Sequence, residues 1–463
     1  MHRVRIENQI LLAEDGELLS HVLQKNGMAM AHPCGGMGLC GKCMLLVDGK
    51  QELSCQYRIL RDISVTLQTQ ADIHVPSDVD ESRRHTENMC YALDLGSTTL
   101  ALALVSLDEK RVVRVITRDN PQRAFGADIM SRISYCQTHP QSDLHAVTVA
   151  KIENMIAECG ATKPLPLFVS GNTTMLHLLL NEDCRGIGTA PYTPVFLEAT
   201  KAKGFLEGVS EIETLPSLHA FVGADLVAGL YHVGMPSPDK YRLLVDLGTN
   251  AEIVLFSRER VLCTSAAAGP CFEGAGIACG MSATSGAICS VRSDHGVLKY
   301  QTIGNAVPKG LCGTGLIDLV ATLLDMGLID QSGYLEDEAY PLTECVCLEA
   351  ADVRALQLAK SAVCCAILSL MKAANITFDE IENLYLAGGF SAKIDLQSAA
   401  KIGLLPKELT QKAISVGNAS LLGTVKYALE RQSLSPFTQN ASYIDLAATP
   451  EFSELFMKNM AFE

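Results

Sequence analysis

Two stretches of this chain repeat one pattern, and that repeat limits its fold more than any other feature. Tyr91–Val105 reads YALDLGSTTLALALV and Tyr241–Phe256 reads YRLLVDLGTNAEIVLF. Each is an apolar strand, an Asp-Leu-Gly-Ser/Thr turn and a second apolar strand. The two copies lie a full domain's length apart, which marks a duplicated supersecondary unit. At 463 residues the chain has room for two to four domains. A hydrophobic fraction of 48% against 19% charged residues is globular and excludes disorder for the bulk of it. The net charge of −15 argues against nucleic acid as a partner, since phosphate binding needs a surplus of Lys and Arg. The longest apolar run, Ser361–Met371, lies between Lys360 and Lys372. It is shorter than the ~18–20 residues that span a bilayer, so no membrane is expected. The first ten residues carry Arg3, Arg5 and Glu7 and no long apolar stretch, and the cysteine count of 17 is odd. Both point to a reducing, cytoplasmic setting rather than a secreted disulfide scaffold.

The turns have the residue types for phosphate. Glycine admits a tight bend. Hydroxyls and turn N–H groups can cradle phosphate oxygens. An aspartate at a strand end can hold Mg2+ through water, because Mg2+ dehydrates reluctantly. One such turn alone is as well explained by a structural hairpin; two in register point to a nucleotide. The first comprises Asp94, Gly96, Ser97, Thr98 and Thr99, and the second Asp246, Gly248, Thr249 and Asn250. A third segment, NLYLAGGFS (Asn383–Ser391), reads as a buried strand ending in Gly388-Gly389, where backbone can approach a flat ligand, with Phe390 beside it. Asp225, in FVGADLVAGL, is either a helix-start residue or a group that orients water or Mg2+. Helical spacing predicts one helix through Ile152, Met155, Ile156 and Cys159 and another over Gly315–Leu324. His177, in an apolar helix, is expected to be a satisfied core histidine.

Four cysteines lie close together: Cys34, Cys40, Cys43 and Cys55, in HPCGGMGLCGKCMLLVDGKQELSC. Thiolates on one glycine-rich loop, with a fourth returned by a hairpin, suit a [2Fe–2S] cluster. Gly35, Gly36, Gly38 and Gly41 remove side chains, so backbone N–H groups can turn toward the sulfurs. Met44–Val47, Asp48-Gly49 and Gln51–Leu53 predict the hairpin. A four-cysteine zinc site is the main rival, although zinc ribbons favour two separated knuckles. His32 is a packing residue or a neighbour of the cluster loop. Strand His2–Ile6, apolar stretch Gln9–Leu12, helix Gly16–Asn26 and the hairpin follow the order of a β-grasp ferredoxin. The stretch resembles [2Fe–2S] ferredoxin domains. The other cysteines, including Cys271, Cys279 and Cys312, are expected as small buried hydrophobes.

The three nucleotide-type segments, in their order, resemble the phosphate 1, phosphate 2 and adenosine motifs of the ASKHA superfamily, the actin-like, ribonuclease H-like ATPases. Asn120–Ile133 (NPQRAFGADIMSRI), Gly171–Leu180 (GNTTMLHLLL), Ala268–Gly280 (AGPCFEGAGIACG) and the cysteine-rich N-terminus together resemble the reductive activators of corrinoid proteins. That resemblance implies an α+β and α/β chain in five parts. Residues 1–75 form a β-grasp ferredoxin domain, 76–90 a linker, 91–240 and 241–434 two ASKHA lobes, and 435–463 a tail that packs on a lobe or wraps a partner. It further implies ATP, Mg2+ and a [2Fe–2S] cluster held by Cys34, Cys40, Cys43 and Cys55. The expected partners are a corrinoid protein of a methyltransferase system and an upstream low-potential reductase or ferredoxin, and a homodimer is allowed. The expected activity returns Co(II) to Co(I) at the expense of ATP. Rival readings are an activator of dehydratase-type enzymes, a redox-regulated small-molecule kinase, and a non-enzymatic electron carrier.

Overall fold

The computed structural model describes residues 1–6, 9–26, 44–54, 56–66, 88–390, 393–449 and 451–462. Cys34, Cys40, Cys43, Cys55, His32, Gly27, Ser391 and the polar stretch 76–87 lie outside the described residues. By mutual contact the chain forms two units, Met1–Asp225 with Thr424–Arg431, and Leu226–Gly423 with Gln432–Glu463.

The first unit opens with a small sheet. Strands β1 (His2–Ile6) and β2 (Gln9–Ala13) pair antiparallel and are followed by helix α1 (Leu19–Lys25). Then come β3 (Met44–Val47), β4 (Lys50–Leu53) and β5 (Ile63–Thr66), giving the order β2-β1-β5-β3-β4 with β1 parallel to β5. Alternation sets the faces: Val4 and Ile6 are buried while Arg3 and Arg5 are exposed. Leu19 and Leu23 of α1, with Ile59 and Val65, close a core belonging to this sheet alone. The β3–β4 turn is Asp48-Gly49, with φ of +49° and +80°, the left-handed pair that suits a two-residue hairpin. Met44 faces Leu53, so the chain returns beside the point where it entered.

The repeat becomes two six-stranded sheets. In the first unit these are β6 (Met89–Leu95), β7 (Thr99–Ser106), β8 (Arg111–Asp119), β9 (Leu165–Gly171), β10 (Lys201–Ala202) and β11 (Val209–Thr214), in the order β10-β11-β9-β6-β7-β8. Helices α2 (Ile129–Thr138), α3 (Ser142–Cys159) and α4 (Thr173–Leu180) belong with them. Helix α5 (Ala224–Val233) begins at the end of this unit. In the second unit β12 (Tyr241–Leu247), β13 (Ala251–Phe256) and β14 (Val261–Ala266) are followed by a three-stranded sheet of β15 (Ala287–Asp294), β16 (Val297–Thr302) and β17 (Gly310–Leu311). A small pair, β18 (Ala339–Pro341) and β19 (Cys347–Glu349), comes next, then β20 (Ile381–Ala387), β21 (Ala413–Gly417) and β22 (Ala441–Tyr443). The main sheet runs β21-β20-β12-β13-β14-β22. In both sheets the repeated hairpin, β6–β7 or β12–β13, has a parallel neighbour on one side, β9 or β20, and an antiparallel third strand on the other. Strand faces covered on both sides explain the near-continuous apolar runs.

Helices α6 (Gly313–Asp325) and α7 (Ala350–Ala374) fill the second unit. Helix α7 is long and apolar enough to cross a membrane, yet 78% of that window is buried inside the fold, as befits a core helix. Its polar positions explain the tail. The Gln357 amide donates to Met460 O at 3.0 Å, the Lys360 ammonium to Ala461 O at 2.5 Å and the Ser361 hydroxyl to Phe456 O at 2.6 Å. Lys360 also lies 5.4 Å from the Phe462 ring centroid. The tail therefore packs on the second unit, supplying acceptors to donors that burial would otherwise leave costly.

Candidate functional site

The first turn is held from behind. Parallel pairing of Leu95 with Gly171 brings the ends of β6 and β9 together, with Asp94 half-buried one residue earlier. Within the turn, three backbone carbonyls accept hydrogen bonds from the Asn120–Ile133 segment. The Asn120 amide donates to Gly96 O at 2.8 Å, the Asn120 backbone N–H to Thr98 O at 2.9 Å, and the Arg132 guanidinium to Ser97 O at 2.6 Å. A planar trans peptide points its N–H opposite its C=O. Fixing these three carbonyls therefore aims the N–H groups of Ser97, Thr98 and Thr99 away from the buttress, as an anion cradle requires. Asn120 and Arg132 are both fully buried. Arg132 also donates to Gly126 O at 3.1 Å, and helix α2, which carries it, starts on an Asp128–Ser131 capping box. Burial, then the Arg123 charge, pull its guanidinium down to about 9, partly offset by Asp128, so it stays charged at neutral pH. Sequence reasoning gave neither residue a role. Their partners in the turn lie 22 to 35 positions away, so only the quoted motif hinted at them.

Asp225 stands in the first turn of α5, half-buried. Two residues before it, a Cβ on Gly223 would lie 2.6 Å from Gly171 O and 2.6 Å from the Asn172 Cα. This close approach seats the start of α5 at the same strand ends as Asp94.

The second unit repeats the arrangement with different supports. Asp246, half-buried, faces Glu252 on β13 and Ala387 on β20. Gly248 N–H closes the turn on Asn250 O at 2.9 Å, and the Thr249 hydroxyl donates to Glu273 Oε1 at 3.1 Å. Glu273, in the glycine-rich 268–280 segment, is a third residue that sequence reasoning missed. Gly388 has φ +90°, and a Cβ there would lie 2.8 Å from Asp246 Oδ1 and 3.1 Å from Leu247 O. Only glycine lets β20 end this close to the aspartate. Gly389 is exposed, and the Phe390 ring stacks on Phe272 with centroids 5.1 Å apart, which fixes one face of that ring. Asp246, the second turn and Gly388 thus come together at the carboxyl ends of two parallel strands, where open α/β sheets bind ligands.

His177 is the core histidine expected. Its Nδ1 lies 2.8 Å from Thr173 O, while Nε2 accepts the Val195 N–H at 3.0 Å and the ring stacks on Phe196. Burial holds its pKa below the usual histidine range. The unfolded chain then takes up a proton below about pH 6.5 before the folded chain does. His177 contributes fully above that pH, and its contribution falls as pH drops toward the folded pKa. Denaturant midpoints measured from pH 7.5 to 5 are expected to decline, and less steeply in His177→Gln. Parallel slopes would remove His177 as the cause.

Of the thirteen described cysteines, Cys90, Cys136, Cys184, Cys263, Cys271, Cys312, Cys364 and Cys365 are buried. Burial pushes Cys263 and Cys271 up to about 12, which makes them inert thiols. Cys345 is exposed, and Cys279 and Cys347 are half-buried.

Twin sheets with an Asp-Leu-Gly turn at the carboxyl end of each central strand define an ASKHA-type, ATPase-like fold. Residues 240–463 match the C-terminal domain of RACo, the ASKHA domain, and residues 89–237 match the RACo middle region. The chain belongs to the RACo family. It is 31% identical over 416 residues to the corrinoid activation enzyme RamQ of Eubacterium limosum, covering 80% of this chain and 70% of that protein. It is 25% identical over 421 residues to the [Co(II) methylated amine-specific corrinoid protein] reductase of Methanosarcina barkeri, covering 80% of this chain and 76% of that one. A solved reductive activator for a corrinoid, iron-sulfur protein superposes with a TM-score of 0.72 at 25% identity, covering 100% of this chain and 98% of the other.

Proposed function

We propose that this protein is an ATP-dependent reductive activator that returns the cobalt of a corrinoid protein from Co(II) to Co(I). The observation that carries the proposal is the pair of buttressed Asp-Leu-Gly turns in a chain of the RACo family. Asp94 and Asp246 would hold Mg2+, the turns from Gly96 to Thr99 and from Gly248 to Asn250 would bind nucleotide phosphates, and Gly388 and Gly389 would border the adenosine. Asp225 orients water or Mg2+. The close fit of Gly388 to Asp246 and the outward amides of the first turn suit such a ligand.

The electron route rests on Cys34, Cys40, Cys43 and Cys55 as ligands of a [2Fe–2S] cluster, in a ferredoxin-like domain over residues 1–75. The β3–β4 hairpin, which returns the chain at Leu53 beside Met44, supports this. Such a centre transfers single electrons, near about −400 mV in plant-type ferredoxins. The nucleotide does no redox chemistry. Its hydrolysis acts by changing affinity for the corrinoid protein between two conformations, which favours electron entry at cobalt. A low-potential reductase or ferredoxin would supply the electrons to a cluster held by these cysteines.

Cys43→Ala tests this route. The reconstituted wild-type chain is expected to show the visible and EPR signals of a [2Fe–2S] centre, and the variant to lose them while keeping ATP hydrolysis. An unchanged spectrum would sink the assignment.

A further inference from the structure

We propose that Cys279 and Cys347 form a redox-responsive thiol pair that closes to a disulfide under oxidising conditions and restrains the second phosphate turn. The two sulfurs lie 3.5 Å apart in the reduced chain. The Cys347 backbone N–H also donates to Cys279 Sγ at 3.3 Å. Forming the bond brings the sulfurs to about 2.05 Å, a closure of about 1.5 Å that side-chain rotation can supply. Both residues are half-buried, so a small oxidant has access.

The geometry also assigns roles. Cys279 Sγ accepts the Cys347 N–H, and it is the nucleophile. Cys347, held up at about 11 by its hydrogen bond to Cys279 and by burial, keeps its proton until the second step. With a low-molecular-weight disulfide as oxidant, Cys279 attacks one of its sulfurs and releases one thiol, leaving a mixed disulfide. Cys347 then displaces the second thiol. One protein S–S bond forms and the oxidant's S–S bond breaks. The two protein thiol protons end on the two released thiols, and two electrons pass from protein to oxidant.

The pair can act on the phosphate turn because of what lies between them. Cys279 lies near the end of the glycine-rich segment that carries Glu273, the acceptor of the Thr249 hydroxyl. Within that segment a Cβ on Gly280 would lie 2.3 Å from Gly274 O, and one on Gly274 would lie 2.1 Å from Met281 O. The backbone at 274 thus packs against the backbone at 280–281 with no room for a side chain between them, which couples Cys279 to Glu273. The other partner is anchored too. Cys347 begins β19, which leads into the α7 capping box of Glu349 and Asp352, and Asp352 also accepts the Ala278 N–H at 2.9 Å. A bond from Cys279 to Cys347 therefore ties the Glu273 segment to the start of the core helix. The regulatory half of this inference rests on the nucleotide reading above; the thiol pair does not.

The full-length chain is incubated anaerobically with oxidised glutathione, free thiols are alkylated, and a non-reducing digest is mapped by mass spectrometry. A peptide joining Cys279 to Cys347 is expected in the wild type and in Cys345→Ser, but not in Cys347→Ser. ATP turnover of the oxidised wild type is expected to fall by roughly fivefold or more and to recover with dithiothreitol, while Cys347→Ser is insensitive. Absence of the joined peptide overturns the pair. A joined peptide with unchanged turnover, or an equal loss in Cys347→Ser, overturns its control of the turn. A reduced chain that hydrolyses no ATP refutes the nucleotide reading and the proposed control with it, while the peptide map still decides the pair.

Discussion

Asp246→Asn is expected to lower ATP turnover by about two orders of magnitude or more while leaving the fold intact, because it removes one preorganised charge from the proposed phosphate site. The side chain sits at the carboxyl end of β12, flanked by β13 and β20, and the Cβ-free backbone of Gly388 is fitted against it. Asparagine keeps the volume and one oxygen and removes the charge proposed to hold Mg2+. Phosphate release at saturating MgATP, with circular dichroism as the folding control, measures the effect. Normal hydrolysis by a folded variant would remove the second turn from the site.

Arg132→Ala is expected to cost about 3 kcal/mol or more of unfolding free energy. The loss combines a cavity at the buried side chain with the removal of charge-assisted hydrogen bonds, leaving the carbonyls of the half-buried Ser97 and Gly126 without this donor. Arg132→Lys is expected to rescue little, since one ammonium cannot copy the guanidinium fork that reaches both carbonyls. The first turn should also lose nucleotide affinity, because the Ser97 carbonyl that orients the Thr98 amide is no longer tied back. Chemical denaturation and nucleotide titration of both variants check this. A stable lysine variant with wild-type affinity would mean that the buttress is incidental.

How much of this was legible in the sequence varies with the range of the interactions. The repeated strand-turn-strand units read directly, because strand pairing and the Asp-Leu-Gly turn are local. They gave the hairpins β6–β7 and β12–β13, and the apolar NLYLA run gave β20. The roles of Asn120, Arg132 and Glu273 were not legible, because each acts on a turn more than twenty residues away, Asn120 and Arg132 through backbone carbonyls and Glu273 through one hydroxyl. Polar residues inside an apolar helix were a signal left unused. Gln357, Lys360 and Ser361 on α7 required buried partners, and the C-terminal tail supplies them. Cys279 and Cys347 read as ordinary packing residues, since nothing in the order of the chain shows that residues 68 positions apart bring their sulfurs together.

The most direct test of the account is optical. The chemically reduced protein is mixed anaerobically with a Co(II) corrinoid protein of a methyltransferase system, with and without MgATP, and the Co(I) absorption is followed. Co(I) that accumulates only with ATP, and fails with Asp246→Asn or with Cys43→Ala, is the predicted result. Equal Co(I) formation with and without ATP, or none in either case, would contradict it.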